Sequence, residues 1–257
     1  MTGTEVTALV GVPVPDDAVL SLLRGWLPHQ RWFPAKGTDA AVERIGVVTL
    51  LDPAGEADVG LHLLRLPSGA VIQVPLTVRP ADATTRPGTV GVVEVAGAPS
   101  VVVDGCQDRA FVRAWLAAAH HDGAAPTGDV EGPDAMRVLT GEQSNTSVLL
   151  PSLAPPAILK VFRGVALGDN PDVVVPLALH HGGWDGVPRP MAWLTASWPA
   201  PPLLTGEPGG TDTGHLGVLS ELVVGAQDGF ELACALAGAG SPFDDLAAAL
   251  GRTTAQM

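Results

Sequence analysis

The chain has 257 residues, enough for one large domain or two small ones around a substantial core. Hydrophobic residues make up 46% and charged residues only 16%, which argues against extensive disorder. Fourteen Lys and Arg stand against 27 Asp and Glu, and the net charge of −13 would repel a phosphate backbone, so no nucleic-acid partner is expected. No basic amphipathic stretch suits an anionic membrane surface, and no apolar run reaches the length of a membrane span. Cys106 and Cys234 are too few and too far apart for a disulfide framework or a zinc site. The N-terminus lacks a basic region followed by an apolar core, so no signal peptide is read and a soluble, cytoplasmic protein with no membrane partner is expected. Tyrosine is absent, and aromatic mass comes from six Trp and five Phe.

Pro15 and Asp16 open an amphipathic helix with Val19, Leu22, Leu23 and Trp26 on its apolar positions. The irregular segment Gln30-Arg31-Trp32-Phe33-Pro34-Ala35-Lys36-Gly37 follows, and its Trp-Phe pair reads as an anchor onto the core. Strands are expected at Ile45–Leu51, Val59–Leu66 and Val71–Val78, the last two joined by a turn at Pro67-Ser68-Gly69. Pro80 to Gly88 reads as a loop, and Val90–Val95 and Ser100–Val103 as a further hairpin. Asp108 to His121 is expected to be a helix with Phe111, Trp115 and Leu116 on one face, and Asp122 to Asp134 a polar linker. Asn170-Pro171-Asp172 starts another helix, Asn170 as N-cap and Pro171 in the first turn, running to about His181. Met191–Ala196 and Leu216–Val223 read as strands around a Pro/Gly/Thr-rich loop from Pro199 to Gly214. Asp228 and Glu231 form a capping box that opens a last helix ending near Gly238.

His120-His121 and His180-His181 close two of these helices, where a cation or polar donor complements the negative helix end. Adjacent histidines on a helix point about a hundred degrees apart, so no metal site is assigned to them. Residues 137 to 163 carry more chemistry. They read as an apolar strand, a small polar turn at Gly141-Glu142-Gln143-Ser144-Asn145-Thr146, a return strand and a third strand, Ala157-Ile158-Leu159-Lys160-Val161-Phe162. Small-residue turns can aim several backbone N–H groups at one anion, and a lysine on the neighbouring strand adds a point charge. The bland alternative is an ordinary hairpin with a surface lysine. Lys160 weighs against it, because an ammonium within an apolar strand needs an anion or a route to water. Glu221-Leu222-Val223-Val224-Gly225 is a strand-to-helix junction whose backbone could read a base edge.

Together these segments resemble the actinobacterial maltokinases, relatives of the aminoglycoside phosphotransferases. The resemblance rests on Arg31-Trp32-Phe33-Pro34-Ala35-Lys36-Gly37, Val74-Pro75-Leu76-Thr77, Asp104-Gly105, Gly141 to Ser147, Ile158 to Arg163, Asn170-Pro171-Asp172 and Glu221 to Glu231. It implies an α+β fold in which a maltokinase-type cap is followed by a kinase-like N-lobe, with the C-lobe largely missing. The expected division is a cap over residues 1–90, a nucleotide lobe over 91–220, and a hinge with the first C-lobe helix over 221–257. The activity implied is transfer of the γ-phosphoryl of ATP to maltose, giving maltose 1-phosphate for α-glucan (glycogen) synthesis, with trehalose synthase as a possible partner. By the same resemblance Gly141, Glu142, Gln143, Ser144, Asn145, Thr146 and Ser147 cover the phosphates, Lys160 holds them, and Glu221 and Val223 contact adenine.

The resemblance also calls for a His-x-Asp-x-His-like catalytic loop and an Asp-Phe-Glu or Asp-Phe-Gly motif for Mg2+, neither of which precedes Met257. A truncated, inactive portion is therefore expected, with no catalytic residue in this chain, and with Leu232, Leu236, Leu246 and Leu250 exposed. Val174 stands where the resemblance calls for a glutamate to pair with the strand lysine. Lys160 is accordingly expected in an open cleft beside the Gly141–Ser147 turn, without a close helix carboxylate, Asp169 and Asp172 being the nearest acidic residues in sequence. Two other readings stay open: a related amino-sugar or aminoglycoside kinase, and a non-catalytic nucleotide-binding or interaction module.

Overall fold

The computed structural model describes residues 16–35, 41–139, 144–201 and 209–257. Helix α1 (Asp16–Trp26) leads into β1 (Glu43–Leu50), β2 (Asp58–Arg65), β3 (Val71–Pro80), β4 (Thr89–Val95) and β5 (Ala98–Asp104). These strands form an antiparallel sheet in the order β1-β2-β3-β5-β4. The β4–β5 hairpin turns on Ala96 and Gly97, both with positive φ, the geometry that matches the twist of paired strands. The expected cap border at residue 90 falls inside β4, and the sheet runs on to Asp104.

Strands β2 and β3 are buried along nearly their whole length because both faces of the sheet are covered. On one face, Leu64, Ile72, Val74 and Leu76 pack against Val19, Leu23, Leu27 and Phe33. On the other, Val59, Leu61 and Leu63 pack against Phe111 and Trp115 of α2 (Arg109–Ala118). Asp108 caps α2 by accepting from Ala110 N–H at 3.0 Å, and it also takes Thr77 Oγ1 at 2.7 Å and Arg79. Arg113, one turn further on, clasps Asp52, Glu56 and Glu131, tying the β1–β2 loop and the following linker to the helix.

The helix does not reach His121. It stops at Ala118, Ala119 turns extended, and His120–His121 becomes the short strand β6. After the linker come β7 (Arg137–Val138), β8 (Asn145–Leu150), β9 (Ala157–Phe162), β10 (Gly164–Val165), α3 (Pro171–His181), β11 (Pro190–Pro199) and β12 (Thr211–Glu221). A second antiparallel sheet forms in the order β6-β11-β12-β9-β8-β7. Strands β11 and β12 extend into the interval expected to be loop, pairing as far as Pro199 with Thr211. The chain continues as α4 (Gly229–Gly238), capped by Asp228 as expected, and as α5 (Asp244–Ala255), a helix the sequence reading did not assign. Neither helix has a buried residue; Leu246 and Leu250 are exposed, Leu232 and Leu236 half-buried.

The chain crosses from the second sheet to the first at a single residue. Strand β9 belongs to the second sheet, and after Arg163 the chain enters the first as β10, pairing with β3. Arg163 is 1% exposed. Its Nη2 bonds both oxygens of Asp104 at 2.9 and 2.7 Å, its Nε donates to Thr146 Oγ1 at 2.9 Å, and its guanidinium lies 4.3 Å from the Trp32 ring centre. Gln73 of β3 is fully buried alongside and donates its amide to the carbonyls of Phe162 and Leu216, one from each neighbouring strand of the second sheet. Cys106 lies in the same cluster, and burial pushes its thiol up to about 12, so it is no nucleophile.

This junction and a buried histidine give two expected outcomes. Removing one partner of a buried ion pair strands the other charge, at a cost of roughly 3–5 kcal/mol. Arg163→Ala and Asp104→Ala should each lose about that much in urea melts, and the double variant markedly less than their sum. Additive losses would show that the two side chains do not act as a pair. His62 is buried in β2, and burial, with Arg44 adding to it, holds its pKa down to about 4. The unfolded chain, with an ordinary histidine near 6.5, then binds the proton more readily, so stability is complete above that value and falls as pH drops towards 4. Unfolding at pH 5.0 should be about 2 kcal/mol easier than at pH 7.5 on account of His62, and His62→Phe should remove that part of the pH dependence.

Candidate functional site

Alternation along β8 and β9 sorts the sequence-predicted residues onto opposite faces. Thr146 points to the junction and is engaged by Arg163. Ser147 points the other way, directly across from Lys160, and the row continues through Val218, Trp193 and His120 on β12, β11 and β6. The His120 and Trp193 rings lie 4.6 Å apart, and Trp193 joins Phe162, Val173 and Val218 in a small apolar cluster beneath α3. Lys160 is thus a cation set in a mostly apolar sheet face, its side chain 31% exposed.

Gly141, Glu142 and Gln143 lie outside the described residues. Ser144 is an exposed bend whose Oγ takes a long contact, 3.4 Å, from Asn145 Nδ2, and Asn145 begins β8. Glu221 ends β12, three residues or about 10 Å along the strand from Val218, the partner of Lys160. Its carboxylate pairs with Arg189 at 3.1 Å, and its N–H donates to the Arg189 carbonyl. Leu222 N–H donates to the Pro156 carbonyl, and exposed Val223 accepts from Ala226 N–H at 3.2 Å.

One expectation is corrected. Lys160 does have a close helix carboxylate: its Nζ is 2.8 Å from Oδ2 of Asp172. Asp172 lies in the first turn of α3, and its own backbone N–H donates to the Asn170 side chain at 2.9 Å. The turn needs holding, because Pro176 has no N–H to return to the Asp172 carbonyl four residues earlier. His215, buried on β12, supplies a second anchor by accepting Asn170 N–H on Nδ1 at 3.1 Å. Burial lowers the pKa of His215 against the opposing pull of the Gly168 backbone and Asp169, and favours the neutral ring that this bond requires.

His180 and His181 do close α3, and His181 contacts Asp122 at 3.0 Å. Among the described residues no group of three or more His, Cys, Asp or Glu is placed to hold a metal ion. No helix among the described residues is long and apolar enough to cross a membrane. A cleft of about 530 Å3 opens in the first sheet beside Asp52, Glu56 and Arg79, and Lys160 does not line it.

Residues 26–108 match the maltokinase N-terminal cap domain family. That span holds α1's end, all of β1 to β5 and the Asp108 cap, and it agrees with the resemblance drawn from Arg31 to Gly37. Two solved structures are also similar. One is a glucosamine kinase in complex with glucosamine, ADP and inorganic phosphate, 18% identical, with a TM-score of 0.47 over 86% of this chain and 44% of that one. The other is a glucosamine kinase in crystal form A, 21% identical, with a TM-score of 0.42 over 84% and 44%. The chain spans under half the length of these structures.

Proposed function

We propose that the chain is the cap and nucleotide-binding portion of a maltokinase-like sugar kinase, which passes the γ-phosphoryl of ATP to the reducing end of maltose. The observation that carries this reading is the cap match over residues 26–108, followed by an antiparallel sheet with a partly exposed lysine on the face beneath α3. In this reading residues 1–90 belong to the cap, 91–220 to the nucleotide lobe and 221–257 to the hinge and the helices after it. Ser144, Asn145 and Ser147 lie at the triphosphate end, with Gly141, Glu142, Gln143 and the Thr146 backbone completing the turn. Lys160 supplies the positive charge to the phosphates, and the Glu221–Val223 backbone meets the adenine. The separation of about 10 Å along β12 suits the reach from base to phosphate. Phosphoryl transfer depends on position and charge rather than on covalent catalysis, so an ammonium fixed to a sheet is the kind of part it requires. The partly exposed ammonium of Lys160 supports a triphosphate there; Mg2+, when bound, would neutralise phosphate charge.

Titration of the 257-residue chain with ATP in a calorimeter tests this. Binding is expected, and Lys160→Met should weaken it about tenfold or more, since a lone charge–charge contact with phosphate contributes on the order of 1–2 kcal/mol. Incubation with ATP, Mg2+ and either maltose or glucosamine should leave both sugars unmodified, because the motifs that the resemblance assigns to catalysis and metal binding do not occur in the 257 residues. Turnover that disappears in Lys160→Met would overturn the second expectation, and indifference of ATP binding to that substitution would overturn the first.

A further inference from the structure

The start of α2 borders a second polar space, which Lys160 does not line. This cavity of about 360 Å3 lies between the end of β3, the segment 81–88 that follows it and the first turn of α2. Its volume is at the small end of the range for ligand pockets, roughly 300–1,000 Å3. Arg79, Arg86 and Arg109 line it, one from each of those segments, although the whole chain has only 14 Lys and Arg and a net charge of −13.

The wall of this cavity has more free donors than free acceptors. Its two carboxylates are Asp108 and Glu56. Both oxygens of Asp108 are occupied, by Ala110 N–H, Thr77 Oγ1 and Arg79, and one oxygen of Glu56 accepts from Arg113. The arginines are less fully engaged. Arg79 donates through Nη2 alone, and its buried Nε has no partner among the described residues. Arg109 donates through Nη1 alone, to Glu131, and Arg86 uses its two outer nitrogens on Asp82 at 2.6 and 2.8 Å. A guanidinium has five N–H donors, so spare donors on three segments border one space. A buried donor left unpaired costs free energy until an acceptor reaches it.

We infer that this cavity binds a small phosphate monoester. A planar carboxylate is satisfied by one guanidinium fork, whereas a phosphate group offers three oxygens to donors arriving from several sides. The positive end of α2, a helix of ten residues, borders the same space and adds to the attraction. Pro87 and Val103 give the wall an apolar share, which suits an organic group on the ester. Asp82 is the built-in competitor, since its carboxylate, 49% exposed, holds the Arg86 fork that an incoming phosphate would take.

Titration of the full 257-residue chain with phenyl phosphate, followed by phosphorus NMR and calorimetry, tests this site. Saturable binding at millimolar or lower concentration is expected, and Lys160→Met should leave it unchanged. Arg86→Ala and Arg109→Ala should each weaken it about tenfold. Both arginines pair with partly exposed carboxylates, so the melting temperature of the free protein should move little. Asp82→Asn should tighten binding several-fold by releasing the Arg86 fork. No saturable binding, loss of binding in Lys160→Met, indifference to both arginine substitutions, or a weaker complex in Asp82→Asn overturns the inference. Citrate binding as tightly as phenyl phosphate overturns the choice of phosphate. None of these outcomes depends on whether the chain binds ATP, so this site and the nucleotide reading stand or fall separately.

Discussion

The buried pair between Arg163 and Asp104, one guanidinium nitrogen meeting both carboxylate oxygens, holds the point where the chain passes from one sheet to the other. The chain leaves the second sheet at Phe162 and joins the first at Gly164, so one residue must make the crossing with its backbone committed on both sides. A guanidinium suits that position because its planar fork can meet a carboxylate, a hydroxyl and an aromatic face at once. Asp104, Thr146 and Trp32 provide these three, from β5, β8 and the segment after α1. Buried charge contributes little net stability against an apolar core of the same volume. Its effect here is to tie β5, β8 and the end of β9 to one point.

That fixing carries over to the sheet face beneath α3. Strand β9 is held at one end by Arg163, and the backbone at Lys160 is paired on both edges, with β8 and β12. What remains adjustable is the lysine side chain, and the start of α3 restrains it from the far side. The site is thus assembled from strands that the core fixes and a helix turn that hydrogen bonds fix. Trp115 adds to the first of these: it lies under Gly217, where an added Cβ would stand 2.8 Å from the Lys160 carbonyl and 3.5 Å from the indole, so β12 can pass only as glycine.

Much of the fold was legible in the sequence because it follows local rules. Alternation in Val71–Val78 and Val90–Val95, and the caps at Asp108, Asn170 and Asp228, placed strands and helix starts within a few residues. The misses occurred where tertiary pairing overrode local pattern. His120 and His121 continue the polar rhythm of α2, yet the edge of β11 captures them as a strand. The Pro/Gly/Thr-rich stretch after Trp198 reads as loop, while cross-strand pairing carries β11 and β12 through much of it. Helix α5 has no side-chain cap, since Phe243 occupies that position, and so it gave no start signal. The Asp172 partner was missed for a geometric reason: helix phase points to positions along the body of α3, whereas the lysine reaches the first turn instead.

Arg163 and Lys160 are three residues apart on one extended segment, and in a strand every step reverses the side. Only an odd interval can send one cation to the sheet junction and the other to the face beneath α3. Parity is therefore a constraint on this stretch that substitution tables do not capture. Replacements at Val161 and Phe162 change packing by degrees, but the gain or loss of a single residue between the two cations would put both on one face, either crowding the ammonium into the junction or turning the guanidinium towards α3.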